Sequence, residues 1–250
     1  MVLLAGIDLA WTRHHESGVC MVEMNGASVR VVELGTRIVT PDGLASHLAA
    51  FGEPIVAAVD APLVVTPVRT AERDLGKVFG AFKASAHSAN LGLLTSTGRM
   101  AGPKLADQLS AHGFSLDPTN IPPSPGGRHA VEVYPHAAHV RLFNLTERIP
   151  YKQKAHRPVS CRRKQFEVYQ GFLAGLLGRN LPGLLENAYL RGRLAPEATL
   201  ARGAALKRLE DELDAITCMY VAFHAWKHGS AGLEVFGNAT DGHIAVPRIA

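Results

Sequence analysis

Leu3-Leu4-Ala5-Gly6-Ile7-Asp8 is a short apolar run closed by an acid. Its length and content predict a buried strand that carries Asp8 to the edge of a sheet. Gly18 to Met24 reads as a second strand, and Asn25-Gly26 supplies the residues that tolerate positive φ in a tight hairpin. Val29 to Val39 returns as a third, so three successive antiparallel strands open the chain. Thr40 then stands as an N-cap and Pro41 as the first residue of a helix whose apolar side includes Leu44, Leu48 and Phe51. Ile55 to Val59 predicts a fourth strand, β-branched and apolar enough to be buried on both faces. It ends at Asp60-Ala61-Pro62, where the proline stops further pairing.

Farther along, Thr70 to Gly80 predicts a charged helix, while Ala81 to Gly102 is polar and carries no firm period. Pro118 to Gly127, with its prolines and paired glycines, must be a loop. His129 to Tyr134 follows as a fifth strand closed by Pro135. Helices are expected over His136 to Phe143, Arg162 to Leu177 and Ala201 to His228, and Leu233 to Pro247 reads as two short strands around Asp241-Gly242. The expectation is an α/β fold: a mixed five-stranded sheet, three antiparallel N-terminal strands plus parallel ones, flanked by helices. One domain over 1–250 is expected, with a helical insertion at about 70–128 and a C-terminal β extension at about 231–250.

At 250 residues, with 47% hydrophobic and 19% charged content, the chain buries a full core and is not a disordered polymer. A net charge of +4 is too small to establish nucleic-acid binding, so the placement of basic residues matters more. Cys20, Cys161 and Cys218 are odd in number and far apart, which fits neither a disulfide framework nor a zinc ribbon and suggests a reducing cytoplasm. The first residues lack the charged leader of a secretory signal. No stretch approaches the roughly 18 to 20 unbroken apolar residues of a membrane span. A soluble, cytoplasmic chain without membrane partners is expected.

Five acids interrupt apolar surroundings. Asp8 and Asp60 close strands, Glu132 lies inside one, and Asp211 and Asp214 are three apart on one helical face. Aspartates at strand ends commonly serve turns. If the two strands are parallel neighbours, however, both carboxylates reach the same end. Asp214, flanked by Leu213, Ala215 and Ile216, fits a solvated face poorly, whereas Glu210 and Glu212 fit an exposed, charged turn. Clustered carboxylates repel one another unless a cation joins them.

Six segments together resemble the bacterial DUF429 family, described as predicted RNase H-like nucleases. They are Gly6-Ile7-Asp8-Leu9-Ala10-Trp11, Val59-Asp60-Ala61-Pro62-Leu63, the Arg69, Glu72 and Arg73 helix, Glu132-Val133-Tyr134-Pro135-His136-Ala137, Tyr151-Lys152, and Asp211 to Ala215. The resemblance implies an RNase H-like fold. Asp8, Asp60, Asp211 and Asp214 also match the carboxylate scheme of the RuvC-type Holliday-junction resolvases of that fold group: first strand, fourth strand, and two helical positions three apart. Glu132 matches the family signature rather than a resolvase ligand, and pairing to an arginine is its alternative role. The implied activity is metal-dependent phosphodiester hydrolysis with two divalent cations, Asp8 bridging them, Asp60 and Asp214 completing their shells and Asp211 assisting. All-oxygen ligands select magnesium or manganese over zinc.

The densest basic stretch carries Lys152, Lys154, Arg157, Arg162, Arg163 and Lys164 with no acid among them, and it could track a phosphate backbone or simply be solvated. Tyr151 and Phe166 are thin material for a stacking platform. Arg69 and Arg73 either join an ion-pair network with Glu72 or hold a phosphate near Asp60. The histidines show no metal spacing, and Cys218 reads as a small core residue. Two other functions compete with the nuclease. A non-catalytic nucleic-acid or protein binding module would keep the acids for structure. An actin-like ATPase or sugar kinase would need glycine-bearing phosphate loops, which Asp8-Leu9-Ala10-Trp11-Thr12 and Asp60-Ala61-Pro62 lack. The nucleic acid, DNA or RNA, is left open; a resolvase would be a homodimer, yet no dimer helix is evident.

Overall fold

The computed structural model describes residues 1–12 and 14–249. The strands are β1 (Val2–Asp8), β2 (Ser17–Asn25), β3 (Ser28–Arg37), β4 (Ile55–Asp60), β5 (Phe114–Ser115), β6 (Arg128–Glu132), β7 (Leu233–Asn238) and β8 (Gly242–Pro247). The helices are α1 (Pro41–Ala49), α2 (Ala71–Phe79), α3 (Leu91–Ser96), α4 (Ala101–Ala111), α5 (Pro135–Leu142), α6 (Val159–Asn180), α7 (Ala188–Leu194) and α8 (Ala204–His228). Among the described residues the main sheet runs β3-β2-β1-β4-β6-β5, and β7-β8 forms a separate hairpin. β1, β2 and β3 pair antiparallel, whereas β1-β4, β4-β6 and β5-β6 are parallel, so the fold is α/β with a mixed sheet flanked by helices.

The sheet has six strands rather than the expected five. The extra one, β5, is two residues long and falls in the segment read as a helical insertion; two residues are too few to show a strand period. The short helix α7 was likewise not anticipated. Thr40 does cap α1, its side chain accepting from the Gly43 amide at 3.1 Å.

Alternation along the strands sorts the core into two layers. Leu4, Cys20, Val22, Val56, Ala58 and Val131 pack with α8 on one face. Leu3, Ile7, Val19, Val59 and Ala130 pack with Leu44, Leu48, Leu105 and Leu109 of α1 and α4 on the other. Contact between α8 and the sheet is backbone to backbone. A methyl at Gly6 would lie 2.0 Å from the Ala215 carbonyl oxygen, and one at Gly18 would lie 2.1 Å from that of Asp211. Only glycine admits that approach, and it seats the middle of α8 on β1 and β2. A third layer joins α2, α5 and the β7-β8 hairpin through Phe79, Val140, Phe236 and Ile244. Among the described residues no helix is long and apolar enough to cross a membrane.

Candidate active site

Asp8 and Asp60 are register partners at the ends of parallel β1 and β4, so their carboxylates emerge side by side. Both follow the parity of Leu4 and Ala58 and therefore face α8. Asp8 is also opposite Gly18, the residue on which Asp211 rests, and this stacking brings the helix acids over the strand acids. Four of the five acids thus share one end of one face.

Asp214 is completely buried. Its Oδ1 accepts from the Tyr151 hydroxyl at 2.6 Å and lies 3.1 Å from that of Tyr169, while its Oδ2 is 2.9 Å from Lys152 Nζ. Lys152 thus covers the oxygen that the two tyrosines leave, so both carboxylate oxygens of Asp214 have a partner. Asp211, one turn earlier, accepts from Lys207, which also reaches Glu210 at 2.9 Å.

The electrostatics follow from this inventory. Burial pushes the Asp8 carboxyl well above its ordinary range; Lys152 pulls it back, and Asp214, Asp60 and Asp211 push it up again. Asp60 is raised to about 7 by burial, with Lys152 opposing and Asp214 reinforcing. Burial also raises Asp211 against the pull of Lys207. For Asp214 burial raises and Lys152 lowers, and with His139 and the Tyr151 hydroxyl added the balance falls below the ordinary value. Lys152 is held well above its own range by Asp214, Asp8 and Asp60 against burial. One lysine therefore balances Asp214, while the two strand acids lack a counter-charge of their own.

Glu132 does not join them. It pairs with Val59 rather than Asp60, and that one-residue offset places it on the opposite face of the sheet. There the guanidinium of Arg69 grips both of its oxygens, and Oε2 also accepts from the Leu63 amide at 2.9 Å. Arg69 spends its remaining donors on Glu72 at 2.8 Å and the Val64 carbonyl at 2.5 Å. Its side chain has no solvent exposure, so the ion-pair role expected as the alternative is what the geometry provides, and no donor is left for a phosphate. Arg73 points to solvent, 3.7 Å from Asp74.

The basic stretch divides. Lys152 enters the acid cluster, and Arg162 is buried, donating to the Tyr151 carbonyl at 3.0 Å and to Glu210 at 3.2 Å. Arg157 holds the Lys152 carbonyl and Arg163 those of Leu200 and Ala201. Lys154 and Lys164 are exposed. Tyr151 and Phe166 are fully buried and offer no stacking surface. Glu210 and Glu212 are also buried, contrary to the exposed turn expected of them; Arg162 covers the first, and Arg193 at 2.7 Å with Tyr189 at 2.8 Å covers the second. Cys218 is a buried core thiol.

Tyr169 and Lys207 were not singled out from the sequence. Lys207 had a signal, its i, i+4 spacing to Asp211. Tyr169 had none, because its partner lies 45 residues away.

Among the described residues no group of three or more His, Cys, Asp or Glu side chains stands ready-made around an ion position. The donor chemistry nevertheless suits a hard cation: oxygen ligands only, at a strand end, with the Asp8 and Asp60 carboxyls raised chiefly by burial and further by the neighbouring acids. The family model described as "Protein of unknown function (DUF429)" matches residues 6–240, and the chain belongs to that family. No curated protein and no solved structure matches the chain.

Proposed function

We propose that this DUF429 chain is a metal-dependent nuclease, or a related phosphodiesterase, on an RNase H-like fold. The observation that carries the reading is the convergence of Asp8 and Asp60, in register on adjacent parallel strands, with Asp211 and Asp214 of α8. Support for the fold comes from three antiparallel strands followed by parallel β4 and β6, with the acid-bearing helix laid across β1, β2 and β4. Magnesium or manganese would be held by Asp8, Asp60 and Asp214, with Asp211 adjoining. Bound there, such cations supply activation of a water and stabilisation of the departing oxygen.

The protein's own groups have definite tasks in this reading. Tyr151 and Tyr169 fix Oδ1 of the Asp214 carboxylate, and Oδ2 is held by Lys152, the partner a cation would displace. Lys152, about a third exposed, keeps the acids from being wholly unbalanced and lies where an anionic backbone would arrive. Lys154 and Lys164, exposed beyond it, extend that positive approach.

The test is incubation of purified protein with labelled single-stranded, duplex, hybrid and four-way-junction substrates, with manganese or with EDTA, beside Asp8→Asn. Metal-dependent cleavage reduced at least about hundredfold in Asp8→Asn is expected, the scale of losing a group that stabilises the transition state. If no substrate distinguishes wild type from variant, the non-catalytic binding module replaces the enzyme. That second reading is favoured by the Lys152 to Asp214 ion pair, which satisfies part of the cluster without any ion.

A further inference from the structure

A groove of about 320 Å³ opens just past the end of β1, lined by Trp11, Thr12, Val39, Pro41, Met100 and Lys104, among others. Trp11 also borders a smaller cleft whose lining includes Asp60, Glu72, Glu132 and Tyr134, so it is shared by the groove and a cleft that reaches one of the strand acids. Two residues, Leu9 and Ala10, separate Trp11 from Asp8, a span of at most about 11 Å. The opposite wall is fixed as well. At the start of α4 a methyl on Gly102 would fall 2.1 Å from the Pro62 carbonyl oxygen, so the segment bearing Met100 and Lys104 is seated directly on the Asp60-Ala61-Pro62 turn. The guanidinium of Arg99 lies 5.2 Å from the centre of the indole ring. The groove's own lining carries one lysine, Lys104, and, among the described residues, no acid, with Arg99 set beside it on the indole.

A partly exposed indole, an apolar slot, Lys104 in its lining and Arg99 beside the indole suit a ligand with a flat aromatic part on an anionic backbone. We infer that the groove is a nucleobase subsite for single-stranded nucleic acid, with Trp11 as the stacking surface and Arg99 and Lys104 beside the flanking phosphates. The inference rests on the nuclease reading and narrows its substrate. A base inside a duplex has both faces covered by its neighbours, so only an unstacked base can lie on the indole.

Trp226→Phe leaves Trp11 as the sole tryptophan, and its emission is followed in EDTA on titration with a tetra-adenylate oligonucleotide. The expected result is saturable quenching. Binding should be at least about fivefold tighter than for an abasic sugar-phosphate chain of the same length. In anisotropy titrations of a labelled oligonucleotide, Trp11→Ala should weaken binding about tenfold and Trp11→Phe much less, while Lys104→Glu should weaken it and make its loss with salt shallower. Equal binding of abasic and base-bearing chains overturns the subsite, as does undiminished affinity in both Trp11→Ala and Lys104→Glu. Metal-dependent cleavage that Asp8→Asn abolishes, with Trp11 unquenched, overturns the subsite and leaves the nuclease standing. Base-dependent quenching without cleavage of any substrate keeps the subsite and removes the nuclease.

Discussion

Buried carboxylates lie on both faces of this sheet, and the two groups differ in how their charge is met. Behind the sheet, Glu132 has a guanidinium across both oxygens and a backbone amide besides, and Arg69 has a second acid and a carbonyl for its remaining donors. The β7-β8 hairpin closes over this pair, since a methyl at Gly242 would fall 2.3 Å from an Arg69 nitrogen. In front, Asp8, Asp60, Asp211 and Asp214 share Lys152 and Lys207. Glu132 has a guanidinium and an amide of its own, whereas the four aspartates divide two lysines among them.

The sharpest way to break the contrast is to remove one member of the satisfied pair. Arg69→Met should cost about 3–5 kcal/mol in urea unfolding, because Glu132, whose carboxyl burial raises to about 8 even beside Arg69, then stays buried without its cation. A cost below about 1 kcal/mol would mean that water reaches Glu132 and that the two faces are alike.

Removing an acid from the front face should act in the opposite direction. The folded Asp60 carboxyl titrates at about 7 against an ordinary value of 3.8, so the native state binds the extra proton between those values. Its contribution is therefore fully present below pH 3.8 and lost as pH rises through about 7. In EDTA, Asp60→Asn should be more stable than wild type by about 1–3 kcal/mol at pH 7.5. Its stability should also fall less between pH 5 and 8. A variant less stable than wild type at pH 7.5 would show that Asp60 is already balanced.

A divalent cation should partly erase the difference between the faces. At a free concentration ten times its Kd, manganese should stabilise the wild type by about 1.4 kcal/mol in thermal unfolding. Asp8→Asn and Asp214→Asn should lose most of that gain, and an equal gain in all three proteins would place the ion elsewhere. The smallest effect belongs to the solvent-facing Arg73. Arg73→Ala should change stability by less than about 0.5 kcal/mol, and a larger loss would give its 3.7 Å approach to Asp74 a weight that exposed pairs seldom have.

Much of the front face was legible in the chain. Leu3 to Asp8 and Ile55 to Asp60 announce their strands by composition, and two acids three apart in a helix must share a side. What escaped was everything set by register or by a long return of the chain. Glu132 differs from its neighbours by a single step of pairing with β4, and one step exchanges the faces of a sheet. Lys152 reads as one more cation in a basic stretch, and only folding shows it 2.9 Å from an acid 62 residues later. Tyr151 is an aromatic beside lysines until its hydroxyl is found on Asp214.

The contact of α8 with Gly6 and Gly18 has a mechanical consequence. Where two backbones touch, no side chain is left between them to repack, so the spacing from strand acids to helix acids is a property of the chain itself. Swapping core residues elsewhere would tune stability without moving that gap. Lys152 meets the acids from the other side, at the head of an exposed segment that no such backbone contact pins, so the two walls of the cluster are held in different ways.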